Sequence, residues 1–192
     1  LRKYIFIIIA ILALSCNNSK KSNIENDKVA KRELRPFFDS DEIDHYYVNY
    51  TLDDVLDIID KDRTSQKNKE LSDLFMGYFP DSIQKYDFEK FLLSYHYKKS
   101  VLSLHQQKEI EDVFSQKDSL QMSGYACVAE YRDIFLFKKR KKTIGIAKIC
   151  FKCGRFQIVG SKLDTEGFGL WTELDKLKNI VRKEEKLSSL EP

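Results

Sequence analysis

Apolar residues fall into three regimes along the chain. Tyr4 to Leu14 is an eleven-residue run with no charge, preceded by Arg2 and Lys3 and followed by Ser15-Cys16-Asn17-Asn18. From residue 17 to 33 the large aliphatic side chains thin to Ile24 and Val29. Helical spacing then sets in. Leu52, Val55, Leu56 and Ile59 follow a Thr51/Asp54 start signal, and Leu71, Leu74, Phe75 and Tyr78 form a second face that stops at Pro80-Asp81-Ser82. Asp87 caps a third helix carrying Phe88, Phe91, Leu92 and Tyr95, and Ser103 with Gln106 makes a capping box for a fourth with Ile110, Val113 and Phe114. Ahead of these, Ile43 to Tyr50 reads as a strand or extended lead-in.

After Gly124 the period shortens. Ala126, Val128, Ile134 and Leu136, then Ile144, Ile146 and Ile149, lie in β-rich segments on either side of Lys138-Lys139-Arg140-Lys141-Lys142, which predicts a hairpin with a basic tip. Phe156 to Gly160 supplies a third strand, and Thr172 to Asp175 opens a last helix with Leu174, Leu177 and Val181 on one face. The expected fold is α+β: a helical N-terminal half, an antiparallel β-meander of about three strands and a C-terminal helix.

The opening run is too short to span a bilayer. Eleven residues at about 1.5 Å rise give about 16 Å, roughly half the hydrocarbon thickness. It has instead the layout of a secretory signal. Ser15 before Cys16, with apolar residues behind, resembles the lipobox of bacterial lipoproteins, although Ala13 stands where that family usually has Leu. The resemblance implies a signal peptide over residues 1–15, cleavage before Cys16, a diacylglycerol on its thiol, and a lipidated Cys plus flexible tether over 16–33. Residues 34–192 then form a single domain. Acyl chains contribute about 0.8 kcal/mol per buried methylene, so two or three of them hold lastingly to a membrane. Asn17 after the Cys, by analogy with enterobacterial sorting, favours the outer membrane.

Composition changes this picture little. The 33 Lys+Arg against 30 Asp+Glu give +3, which loss of Arg2 and Lys3 reduces to +1, so charge argues against a nucleic-acid partner. The cysteines matter more. Cys150-Phe151-Lys152-Cys153-Gly154 has the spacing of half a zinc site, with Cys127 a third ligand and His96 or His105 a fourth. In an exported protein a disulfide is the natural competitor. A hairpin turning at residues 139–142 places Cys127 opposite 153 or 154, which favours a Cys127–Cys153 pair and leaves Cys150 spare. A Cys150–Cys153 pair needs a turn, since three extended steps span about 10 Å. A bridge closing some 25 residues would contribute about 3 kcal/mol. Unpaired buried thiols are the third option. The strand-like Ile144 to Ile149 before Cys150 argues against thioredoxin-type catalysis, which wants a helix N-terminus.

The basic tip is read as a solvated turn guarding the hairpin edge, or as a dock for anionic headgroups. His45, His96 and His105 are isolated and read as partly exposed positions. Tyr46, Tyr47 and Tyr50 complete a core or stack on sugars. With no G-x-S-x-G, Walker motif or positioned carboxylate pair, no catalytic residue is nominated. His45-Tyr46-Tyr47, YRDIFLF at 131–137 and GIAKICFKCGRFQIVGS at 145–161 together resemble a group of small Bacteroidetes-type exported proteins, a resemblance that implies location and architecture and carries no activity. The expectation is a monomeric, lipid-anchored envelope protein binding or assembling with an unknown protein or envelope ligand. An immunity-type inhibitor of an envelope toxin is one form of it, and a thiol or zinc protein using Cys127, Cys150 and Cys153 is the rival.

Overall fold

The computed structural model describes residues 35–116 and 127–182, all within one compact unit, Leu34–Pro192. The leader, Cys16 and the tether to residue 33 lie outside the described residues, as does Ala126. In chain order the elements are β1 (Glu42–Tyr47), α1 (Leu52–Lys61), α2 (Gln66–Phe75), α3 (Phe88–Ser94), β2 (Lys98–Ser100), α4 (Leu104–Val113), β3 (Asp133–Lys139), β4 (Lys142–Ile149), β5 (Phe156–Val159) and α5 (Trp171–Val181). The α+β class holds. The strands make one antiparallel sheet in the order β2-β1-β3-β4-β5.

That sheet has five strands rather than three, and the first half of the chain is not purely helical. β1 and β2 come from that half and add to the free edge of β3, with His45 facing Phe135 and Ser100 on either side. β2 escapes sequence reading because it is three residues, Lys98-Lys99-Ser100, with no buried side chain to mark a period. In the other direction, β3 starts at Asp133, so Val128 is not strand but exposed chain.

Side chains of β3 alternate between two apolar layers, which is why nearly the whole strand is buried. Phe135 and Phe137 join Phe114, Phe168, Leu174 and Leu177 under α4 and α5. Ile134 and Leu136 join Tyr46, Val55, Leu74, Phe75 and Leu92 under α1, α2 and α3. The predicted caps form: Thr51 and Ser103 make capping boxes, and Asp87 accepts from the Lys90 N–H, each worth about 1 kcal/mol. Gly145, opposite Phe137, leaves room for the Phe38 ring, which stacks on Phe137 at 4.3 Å. A Cβ there would overlap that ring.

Candidate functional site: a thiol turn beside a polar cleft

β4 ends at Ile149, and the chain turns at once. The Cys150 N–H donates to the Arg155 carbonyl and the Gly154 N–H to the Cys150 carbonyl, both at 2.8 Å, with Gly154 at φ +73°. Glycine is the residue that takes this left-handed conformation without strain. The turn cancels the 10 Å that an extended Cys-x-x-Cys would impose, and the Cys150 and Cys153 sulfurs stand 3.0 Å apart. Cys150 is buried and its sulfur accepts the Glu130 N–H at 3.4 Å. Cys127 and Cys153 are half-buried and hydrogen-bonded to each other.

All three cysteines named from the sequence are thus brought together, and all are free thiols. The route differs from the expected one. Partners sum to 282 from Asp133/Ile149 to Phe137/Gly145 and to 281 beyond a bulge at Phe137/Lys138, and pairing stops at Asp133. Cys127 therefore reaches Cys153 through the irregular segment before β3, not through the ladder. Burial, with hydrogen bonds to Cys127 and Cys150, pushes the Cys153 thiol up to about 12. A thiol held protonated in this way is the reverse of what a catalytic thiol needs. Among the described residues no group of three or more His, Cys, Asp or Glu is arranged to hold a metal ion, and His105 lies exposed beside Glu109.

The turn walls a cleft of about 450 Å³. Phe151 and Lys152, between the two cysteines, face Tyr47 from β1, Glu130, Arg132 and Asp133 leading into β3, and Lys178 and Arg182 of the last helix and its cap. Four cations meet two carboxylates there. Lys152 pairs with the buried Glu130 at 2.6 Å, and Arg182 holds Asp133 at 3.1 Å. The Arg132 and Arg182 guanidinium carbons lie 5.3 and 4.0 Å from the Tyr47 ring centre. Arg132 also donates to the Tyr47 hydroxyl and to Asn49. Both arginine heads are therefore held in place before any ligand arrives.

Asp133 reaches further. Its Oδ1 is 3.0 Å from His45 Nε2, and His45 Nδ1 is 2.9 Å from Ser100 Oγ. No spacing announced this group, whose members sit on β1, β2 and β3. It has the membership of a hydrolytic triad, but Arg182 contacts both Asp133 oxygens and His45 is 2% exposed. His45 is closed off from solvent with both ring nitrogens engaged, so the group works as a tie across three strands. His45 is accordingly buried, not partly exposed. Tyr46 is in the core, and Tyr47 is the cleft's aromatic floor.

The basic tip contracts. Lys138 is buried and ion-paired with Asp44 and Glu89, and Lys139 pairs with Asp39 at 2.9 Å. The Arg140 N–H donates to the Asp41 carboxylate. Exposed side chains remain at Arg140, Lys141 and Lys142, with Arg140 and Lys141 both at positive φ in a two-residue turn. A five-cation surface is not what the fold presents, because the strand carries Lys138 inward to two carboxylates that lie 94 and 49 residues away in the sequence.

Lys148 was missed. It is fully buried in β4, and its Nζ donates to the Gly77 and Phe79 carbonyls, both at 2.7 Å, above the Tyr131 ring. Burial pushes it down to about 7. Its flanking Ala147 and Ile149 are the signal that a reading of alternation could have used. Comparison of the chain with protein families, curated proteins and solved structures finds no match.

Proposed function

We propose that this chain is a lipid-anchored envelope protein, held through Cys16 at the outer membrane, whose domain is a non-catalytic binding module. The observation that carries the binding part is the cleft: two arginine heads fixed against Tyr47, with Lys178 and Lys152 at the rim, form a preorganised, net-positive recess. Preorganisation lowers the ordering cost of binding. Such a recess suits an acidic group on a partner, bound stoichiometrically by the monomeric domain. An immunity-type inhibitor would act in this way. The leader and Cys16 support the location.

Three variants test this in cells. Cys16→Ala is expected to move the protein from the membrane to the soluble fraction, and unchanged membrane association overturns the anchor. A photo-crosslinking residue at position 178 is expected to trap a discrete partner that one at position 142, on the hairpin tip, does not. Equal trapping from both positions, or none, overturns the cleft as the binding face.

A second reading, a thiol protein, is favoured by the meeting of Cys127, Cys150 and Cys153. Its raised Cys153 argues for a structural or slowly exchanging centre over an oxidoreductase.

A further inference from the structure

Three sulfurs cannot all pair, and their arrangement is not symmetric. Cys153 touches both others: Cys150 at 3.0 Å, and Cys127 through a hydrogen bond. Cys150 points into a small buried cluster with Ala129 and Tyr131, its sulfur occupied by the Glu130 N–H. We infer that Cys153 is the shared sulfur of a two-state disulfide centre: the oxidised domain carries one bond, Cys150–Cys153 or Cys127–Cys153, and the remaining cysteine stays a thiol able to exchange it. This rests on the thiol reading above and narrows it to one connectivity rule.

The chemistry balances with a disulfide-bearing oxidant of the envelope, written XS–SX. The thiolate of Cys127 or Cys150 attacks one sulfur and releases XS⁻, giving a mixed disulfide. Cys153, giving up its proton in a slow step because its surroundings hold the thiol protonated, then attacks that cysteine's sulfur, forming the internal bond and releasing the second XS⁻. Two electrons and two protons leave the protein, and the oxidant departs as two XSH. Exchange between the two forms needs no oxidant. The Cys150 thiolate attacks Cys153 in the Cys127–Cys153 form, the Cys150–Cys153 bond forms, and Cys127 leaves as thiolate and is protonated.

The two forms differ where it matters for binding. A Cys150–Cys153 bond closes the turn on itself around Phe151 and Lys152. A Cys127–Cys153 bond ties that turn to the segment leading to Glu130 and Arg132, across the gap that the Lys152–Glu130 ion pair already bridges. The cleft wall thus has two covalent forms.

The test uses the full-length protein, oxidised with oxidised glutathione, quenched in acid, alkylated and digested with trypsin. Trypsin cuts after Lys152, so Cys150 and Cys153 fall on separate peptides that a disulfide rejoins. Cys127→Ser is expected to give Cys150–Cys153 alone, and Cys150→Ser to give Cys127–Cys153 alone. Cys153→Ser is expected to lower internal disulfide among the three at least tenfold, with Cys153→Ala as a second replacement and wild-type mapping standing independently of either variant's folding. A Cys127–Cys150 bond in the wild type or in Cys153→Ser overturns the inference while leaving a thiol protein standing. Three unmodified thiols in the oxidised wild type overturn both.

Discussion

β4 runs between two turns that invert each other's logic. At its start, cations adjacent in sequence look like a surface patch, and the fold takes two of them away: Lys138 to Asp44 and Glu89, Lys139 to Asp39. At its end, two cysteines three residues apart look incomplete, and the fold adds a third from 23 residues upstream of Cys150. Density of one residue type along a chain measures a site only where the neighbouring elements bring no partners. Where they do, the partners decide.

The strongest way to break the comparison is at Lys138. If it is interior, Lys138→Met should cost about 3 kcal/mol in urea unfolding, the low end for breaking a buried pair, because Lys99 at 2.8 Å still partly compensates Asp44. An exposed lysine would cost almost nothing. At the opposite turn, Gly154→Ala should cost about 1–2 kcal/mol, the penalty of a side chain at positive φ. Replacing Arg140 by Gly should gain a smaller amount by relieving the same kind of strain.

On β3 and β4, the two buried lysines separate by partner. Burial alone would lower Lys138, but hydrogen bonds to Asp44 and Glu89 hold it above the ordinary lysine value. Burial takes Lys148, which has carbonyl partners, down to about 7. A neutral amine carries two N–H groups, matching two carbonyls. Between pH 7 and the ordinary lysine value of about 10.4, the unfolded chain holds a proton at residue 148 that the folded chain releases, so stability rises with pH by up to about 1.4 kcal/mol per unit. Lys148→Met should remove that rise, and an unchanged slope would contradict the assignment. The smallest effect belongs to the true tip: Lys141→Glu with Lys142→Glu should change stability by less than about 0.5 kcal/mol, since both side chains are exposed.

Much of the fold was legible because it rests on local signals. Thr51/Asp54, Ser103/Gln106 and Asp87 announced their helices, and the Ile144–Ile149 alternation announced β4. β1 was half-visible, its Ile43 to Tyr50 reading as strand or lead-in where the strand ends at Tyr47, while β2 was invisible because three polar residues owe their conformation to pairing with β1. The candidate site divides in the same way. The thiols were nameable by type and spacing, although the pairing arithmetic assumed a ladder that ends before Cys127. The cleft was not nameable, since Tyr47, Arg132 and Arg182 meet only through the packing of β1, the lead-in to β3 and α5. The His45–Ser100–Asp133 tie is likewise a product of strand order.

The most direct measurement is a free-thiol count under denaturing conditions on protein purified without reductant, with Cys127, Cys150 and Cys153 each assigned by peptide mapping. One reactive thiol without reductant and three with it, assigned to Cys127, Cys150 and Cys153, is the predicted result. Three reactive thiols without reductant would contradict the disulfide centre on which the account of this turn depends.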